Sequence, residues 1–300
     1  MIEIKVKDFE LDHIFDCGQS FRWNKEEDGS YTGIAFGHIA NMSLKDGILS
    51  IETLSKHGGN GEVVNEFAKY DDTYIEEMWK EYLDLYTDYG EIKKCLSKKD
   101  KIMKSAISSG EGIRILKQEP WEALVSFIIS QNNNIPRIKK CIEGLCESFG
   151  EPLGTYRGKQ RFAFPKADVL AQLTEEDLGP IRLGYRSKYI INTAKQVVED
   201  GGEEFLFTLR EKNSQEAYEY LTSLCGVGPK VANCILLFGI DKKDSFPIDV
   251  WVKRVMNRLY DIDENDMKSM KVYAEDNFGI YGGVAQQYLF YHIRKIESEV

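Results

Sequence analysis

Leu224-Cys225-Gly226-Val227-Gly228-Pro229-Lys230-Val231-Ala232 leads into an apolar run, and Ser245-Phe246-Pro247-Ile248-Asp249-Val250 closes it. Gly226 and Gly228 permit a tight loop with outward-facing backbone N–H groups. Pro229 suits the first position of a helix. Residues 221–238 therefore read as helix, hairpin, helix. The hairpin amides of Gly226 and Gly228, with those of Lys230 and Val231 in the first helical turn, form a set of unpaired donors. They sit at the positive end of a helix dipole, so they can hold a phosphate without basic side chains. A plain helix–helix turn with a glycine cap is the bland alternative, and it accounts for most isolated GxG strings. Leu-x-Gly-Val-Gly-x-Lys before an apolar helix is more specific.

Lys230 lies in the first turn of that helix. A solvated lysine is the ordinary outcome there, but a cation at a helix N-terminus opposes the dipole by roughly 0.3–1 kcal/mol. The same face continues at i+4 and i+8 to Cys234 and Phe238, which places a sulfur and an aromatic ring below an amine. Without Lys230 these two would be read as core. Asp249 follows Pro247 and opens a helix containing Val250, Val252, Val255 and Leu259. An N-cap role suffices to explain it. A capped carboxylate is also held rigidly, as electrostatic catalysis requires.

Working outward, the N-terminal part reads as β-structure. Ile2, Ile4 and Val6 alternate with charged residues, and Asp28-Gly29 and Asp46-Gly47 separate strand-like runs. Both dipeptides favour tight hairpin turns. An antiparallel sheet through about residue 55 is expected. From Tyr74 the apolar spacing becomes helical, with Met78, Tyr82, Leu83, Leu85 and Tyr86. Further helices are expected at about 99–109, 120–131, 135–149, 166–176, 187–199, 214–224, 229–239, 249–260, 266–278 and 282–297. The fold class is α+β: a small N-terminal antiparallel sheet domain over 1–78, then a large all-α domain over 79–300 that carries the hairpin at about 221–238.

The 300 residues suit one large domain or two ordinary ones. No run of apolar residues is long enough for a transmembrane helix, and Met1-Ile2-Glu3-Ile4-Lys5-Val6 is not a signal peptide. An intracellular protein of the cytoplasm or nucleoid is expected, with no membrane partner. The six cysteines at 17, 95, 141, 146, 225 and 234 form no CxxC, and only four histidines occur. No metal or iron–sulfur ligand set is present in this pattern. The net charge of −10 weighs against a nucleic-acid partner. The charge is uneven, however. Residues 62–91 are acid-rich, whereas Arg182, Arg186, Lys188 and Lys195 lie in a stretch without acids. A local basic face can meet phosphates while an acidic back stays in solvent.

Gly18-Gln19-Ser20-Phe21-Arg22-Trp23, Ser126 through Arg137 with its Asn132-Asn133-Asn134, Leu183-Gly184-Tyr185-Arg186, the hairpin, and Ala285-Gln286-Gln287-Tyr288-Leu289-Phe290 follow one another along the chain. In these motifs and their order the chain resembles the 8-oxoguanine DNA glycosylase/lyases of the helix-hairpin-helix (HhH-GPD) superfamily, over nearly its whole length. The resemblance implies that Lys230 attacks C1′ of the damaged nucleotide, displaces the base and holds the sugar as a Schiff base before β-elimination. Asp249 would stabilise positive charge on the sugar and assist later proton transfers. The flipped base would lie between Cys234 and Phe290, with Phe238 shaping the pocket and Gln286 on the pairing edge. The Gly18 carbonyl would accept the N7 hydrogen that 8-oxoguanine has and guanine lacks; a simple turn between strands is the bland account of that glycine. Gln286 and Phe290, four apart, share one helix face. Asn132, Arg137 and Arg186 would bind the cytosine left behind, and Tyr185 would wedge into the gap.

One unsatisfied buried polar group costs roughly 1–3 kcal/mol, about ten- to a hundredfold. Selection against abundant normal guanine must therefore also act during base extrusion. Two residues depart from the family pattern. Trp251 stands where many relatives have a histidine, and Phe238 where a methionine is common. The implied partner is double-stranded DNA with 8-oxoguanine opposite cytosine, bound by a monomer. No cofactor is required, and a cation at the hairpin carbonyls is left open. A sister glycosylase for another damaged or mismatched base would share the hairpin and Asp249. A non-catalytic hairpin module would need neither Asp249 nor the pocket.

Overall fold

The computed structural model describes residues 1–54, 72–98 and 100–298. The N-terminal strands β1 (Ile2–Lys5), β2 (Asn24–Lys25), β3 (Tyr31–Ala35), β4 (His38–Lys45) and β5 (Ile48–Leu54) form an antiparallel sheet in the order β1-β5-β4-β3-β2. Asp46 and Gly47 both take positive φ, 52° and 75°, in the turn between β4 and β5. That turn pairs Lys45 with Ile48 and so sets the register of β4 on β5.

Helices α1 (Leu11–Phe15) and α2 (Asp72–Tyr82) cover this sheet. Trp23 stacks on Phe15 at 4.3 Å, and its indole N–H donates to the Tyr82 hydroxyl at 2.7 Å. Trp79 donates to Thr53 Oγ1 at 2.7 Å. The expected boundary at 78/79 thus falls inside α2, whose Trp79 and Tyr82 belong to the sheet's core together with Leu83 and Leu116. The acid-rich stretch at 62–91 lies partly, over 62–71, outside the described residues.

The helical part comprises α3 (Tyr89–Ser97), α4 (Lys101–Ser109), α5 (Pro120–Ser130), α6 (Ile135–Phe149), α7 (Ala167–Ala171), α8 (Arg186–Glu199), α9 (Glu203–Thr208), α10 (Ser214–Ser223), α11 (Pro229–Phe238), α12 (Val250–Tyr260), α13 (Met267–Phe278) and α14 (Gly282–Ser298). It is not wholly helical. A two-stranded ribbon, β6 (Pro152–Tyr156) and β7 (Lys159–Phe162), follows α6. Its turn residues Arg157 and Gly158 both have positive φ. The helix expected at 166–176 stops at Ala171, because Thr174 and Asp177 bond to each other and close a local turn. The apolar α5 is buried along almost its whole length and runs through the centre of the helical core.

Arg22 joins the two parts. Its side chain is 1% exposed. Its Nε lies 3.3 Å from Glu143 on α6, its Nη2 donates to the Phe162 carbonyl at 2.5 Å, and its Nη1 stands 3.9 Å from Glu122 on α5. Burial pushes the Glu122 carboxyl up to about 8, against the pull of Arg22. Its folded pKa therefore lies above the ordinary glutamate value. The resulting stability is complete below about pH 4.3, the ordinary value, and is lost as pH rises towards 8. In urea titrations at pH 5 and pH 8, the native chain should lose about 1–3 kcal/mol more than Glu122→Gln over that interval. Equal losses in both proteins would refute the assignment.

Candidate active site

The backbone before α11 follows from its glycines. Gly226 has φ +77°, and a Cβ placed on it would lie 2.4 Å from the Tyr189 ring. Only glycine fits both the conformation and the close approach. The Leu224 carbonyl accepts from Val227 N at 3.2 Å, that of Cys225 from Thr193 Oγ1 at 2.8 Å, and that of Gly226 from Gln131 Nε2 at 2.9 Å. The first intrahelical bond of α11 runs from Ala232 N to the Gly228 carbonyl. The amides of Lys230 and Val231 lie before it, in the first turn, where they face outward as donors.

Lys230, Cys234 and Phe238 share the inner face of α11. With Cys17, Gly18, Phe127, Pro247, Asp249, Gln286, Gln287 and Phe290 they line a cavity of about 50 Å³. The Lys230 Nζ stands 5.7 Å from the Phe127 ring centre, and Phe238 stacks on Phe127 at 5.4 Å. Asp249 caps α12, with Oδ1 accepting from Trp251 N and Val252 N, each at 2.9 Å. Burial pushes its carboxyl up, while the two amides, Lys230 and Arg294 pull it down. Burial likewise raises the Cys234 thiol, against the neighbouring Lys230 ammonium. Cys17 is pushed up to about 11 by burial. Both thiols are therefore neutral walls at physiological pH.

Gly18 sits at φ +79°, and a Cβ placed on it would lie 3.4 Å from the Phe290 ring. Gln286 is 5% exposed, and its Oε1 is buried without a hydrogen-bond donor from the protein. A second cavity of about 460 Å³ adjoins the first and shares Gly18, Phe127, Lys230, Asp249 and Phe290 with it. Asn133, Asn134, Trp251 and Arg294 also line this outer space. The inner cavity holds no more than a few waters. Phe290 is one of the residues that border both cavities.

The expected opposite-base residues gather at one edge. Asn134 caps α6 through Arg137 N, and Asn133 Nδ2 bonds the Ile129 carbonyl at 3.1 Å. Asn132 is left exposed at a positive φ of 46°. Arg137 is exposed and reaches the Arg182 carbonyl at 3.2 Å. Tyr185 is 50% exposed beside Tyr189.

Arg186 is 4% exposed. It donates to the carbonyls of Gln131, Asn132 and Leu183 and lies 4.6 Å from the Tyr185 ring centre. It is buried beneath the asparagine loop, whereas Arg182, Lys188 and Lys195 of the same stretch are exposed. Sequence reasoning gave no role to Phe127, Cys17, Gln287 or Arg294. Arg294 lies 5.3 Å from the Phe290 ring centre. Its position four residues after Phe290 was the available signal.

Comparison with known proteins places this geometry. Residues 1–124 match the family described as 8-oxoguanine DNA glycosylase, N-terminal domain, and residues 125–276 match the HhH-GPD superfamily base excision DNA repair protein family. The chain is 32% identical over 289 residues to an Arabidopsis thaliana protein named N-glycosylase/DNA lyase OGG1, covering 92% of this chain and 75% of that one. It is 34% identical over 271 residues to the Saccharomyces cerevisiae N-glycosylase/DNA lyase, covering 85% and 69%. The solved structure of the Clostridium acetobutylicum 8-oxoguanine glycosylase/lyase with double-stranded DNA containing cytosine opposite 8-oxoG is also similar. It shares 41% identity, covers 97% of this chain and 94% of that one, and superposes with a TM-score of 0.85.

The two hairpin glycines should respond differently to a methyl group. Gly226→Ala should cost about 1–3 kcal/mol, from a strained φ and a clash with Tyr189. Gly228→Ala has an ordinary φ and no neighbour within 4 Å, and should stay within about 0.5 kcal/mol. Thermal unfolding of both variants checks the contrast.

Proposed function

The chain belongs to the 8-oxoguanine DNA glycosylase family of the HhH-GPD superfamily, and on that premise we propose that it excises 8-oxoguanine opposite cytosine and then cleaves the abasic strand. One observation carries the reading. Lys230, Asp249, Gly18 and the unpartnered Oε1 of Gln286 converge on a single cavity. An amine, a carboxylate and two recognition groups around one small space suit a nucleotide base removed from the helix stack.

The hairpin amides hold the backbone phosphate, which lets a chain of charge −10 bind DNA through fixed dipoles. The base enters through the outer cavity and displaces Phe290, which then closes on one face with Cys234 on the other. Gln286 reads the pairing edge. The Lys230 amine forms a bond to C1′ as the C1′–N9 bond breaks, and the electron pair leaves with the base. Asp249 stabilises the positive charge that develops on the sugar. The nitrogen lone pair then forms C=N as the bond from C1′ to the ring oxygen breaks, and the proton released by the nitrogen passes to that oxygen, which gives the Schiff base. Abstraction of a C2′ proton then expels the 3′ phosphate.

Asn132 and Arg137 read the cytosine, Tyr185 fills the gap, and Arg186 contributes by fixing the Asn132 loop. The chemistry calls for no cofactor. A cation at the hairpin would use the second lone pairs of the Leu224, Cys225 and Gly226 carbonyls. No helix among the described residues is long and apolar enough to cross a membrane.

Borohydride added during turnover should trap a covalent protein–DNA adduct, and Lys230→Gln should form none. An adduct of undiminished yield in that variant would exclude Lys230 as the nucleophile. Because burial raises the Asp249 carboxyl, the acid limb of the excision rate should fall above the usual carboxylate range near pH 4. Asp249→Asn should remove that limb and slow excision on the order of a hundredfold. Rates measured from pH 4 to 8 test both points.

A further inference from the structure

Cys17, Gly18 and Gln19 present three consecutive carbonyls, and the outer two are already engaged. The Cys17 carbonyl accepts from Gln287 Nε2 on α14 at 2.7 Å. The Gln19 carbonyl accepts from Gln118 Nε2 at 2.7 Å. Gln19 is itself anchored at both ends of its amide. Its Nε2 donates to the Ile14 and Arg114 carbonyls at 2.9 and 2.8 Å, and its Oε1 accepts from Leu116 N at 2.9 Å. Gln19 is 0% exposed and Gln287 2%. The Gly18 peptide is therefore held on both sides by buried amides, with Gly18 itself in a left-handed conformation at φ +79°.

The strut from α14 has a particular value. Gln287 is adjacent to Gln286, whose Oε1 lacks a donor in the same cavity. Neighbouring residues on a helix point about 100° apart, so one can face the ligand while the other braces the wall. Through Gln287, one helix fixes both the group for the pairing edge of a base and the backbone acceptor for its imidazole edge.

We propose that Gln287 is a positioning residue for lesion specificity, which aims the Gly18 carbonyl at N7–H of the oxidised purine. This rests on the function proposed above. A misaimed carbonyl weakens recognition of the base, but it leaves attack on a sugar that has already lost its base untouched. The two reactions of the enzyme therefore separate the inference from a general loss of structure.

Gln287→Met keeps the volume and removes the donor. Single-turnover excision from an 8-oxoguanine:cytosine duplex should fall about tenfold. Cleavage of a preformed abasic site opposite cytosine, by the same preparation, should stay within twofold of the native rate. Unchanged excision, or equal loss of both rates, would overturn the proposal. Gln287→Glu supplies a second reading, because its carboxyl donates only when protonated. Normalised to its own abasic-site rate, its excision should approach the native ratio as pH falls; a ratio that stays at the Gln287→Met level at every pH contradicts the strut. A native protein that leaves 8-oxoguanine in place would refute the underlying function, whereas an active native enzyme with an indifferent Gln287→Met refutes only the role of Gln287.

Discussion

A left-handed glycine clamped between buried amides is the constraint on which the site depends. Gly18 belongs to the N-terminal part of the chain, whereas Lys230, Asp249 and Gln286 belong to the helical part. Their relative positions have meaning only if the segment around Gly18 cannot drift. Gln19, Gln118 and Gln287 prevent drift by spending their amide groups on backbone carbonyls and amides from both parts. Buried amides of this kind are costly when broken, since each lost partner leaves a desolvated group behind. The Arg22 cluster adds a second fixed point between the same two parts.

Electrostatics is divided between backbone and side chains. The proposed phosphate grip uses hairpin amides and a helix dipole, which carry no net charge and tolerate an acidic protein. The formal charges of the site are few. Lys230 faces Asp249 across a cavity whose thiol walls stay neutral. Asp249 has its orientation set by the first turn of α12, so the cap that starts the helix also aims the carboxylate. The same economy appears in the Asn132-Asn133-Asn134 run. Two asparagines satisfy local backbone groups, and the first is left exposed.

Much of this was legible in the sequence, for local reasons. Asp46-Gly47 and the Gly-Val-Gly hairpin impose backbone conformations that few other sequences adopt. The spacing of Lys230, Cys234 and Phe238 defines a face without any tertiary knowledge. The helix over Ile135–Phe149 carries its own start signal in Asn134 and Pro136. What was missed depends on contacts distant in sequence. The Arg186 guanidinium reads in the sequence as one cation of a basic stretch, but its burial against carbonyls more than fifty residues away is invisible there. The Arg157-Gly158 ribbon was absorbed into an all-helical expectation, although its turn chemistry was available. Gln287 lies 270 residues from its partner Cys17, and no periodicity connects them. The short α1 and α9 have too few residues to show a helical repeat.

The inner cavity is small, about 50 Å³. Gly18 and Gln286 line it, and in the proposed function a bicyclic base is admitted by movement of Phe290, which borders both cavities. The site is thus prearranged in its polar groups and adjustable in one aromatic ring. A crystal structure of Lys230→Gln bound to a duplex with 8-oxoguanine opposite cytosine tests this most directly. The account predicts the lesion between Cys234 and a displaced Phe290, with N7 within hydrogen-bonding distance of the Gly18 carbonyl and residues 17–19 unmoved. A base seated elsewhere, or a rebuilt 17–19 segment around an unmoved Phe290, would contradict it.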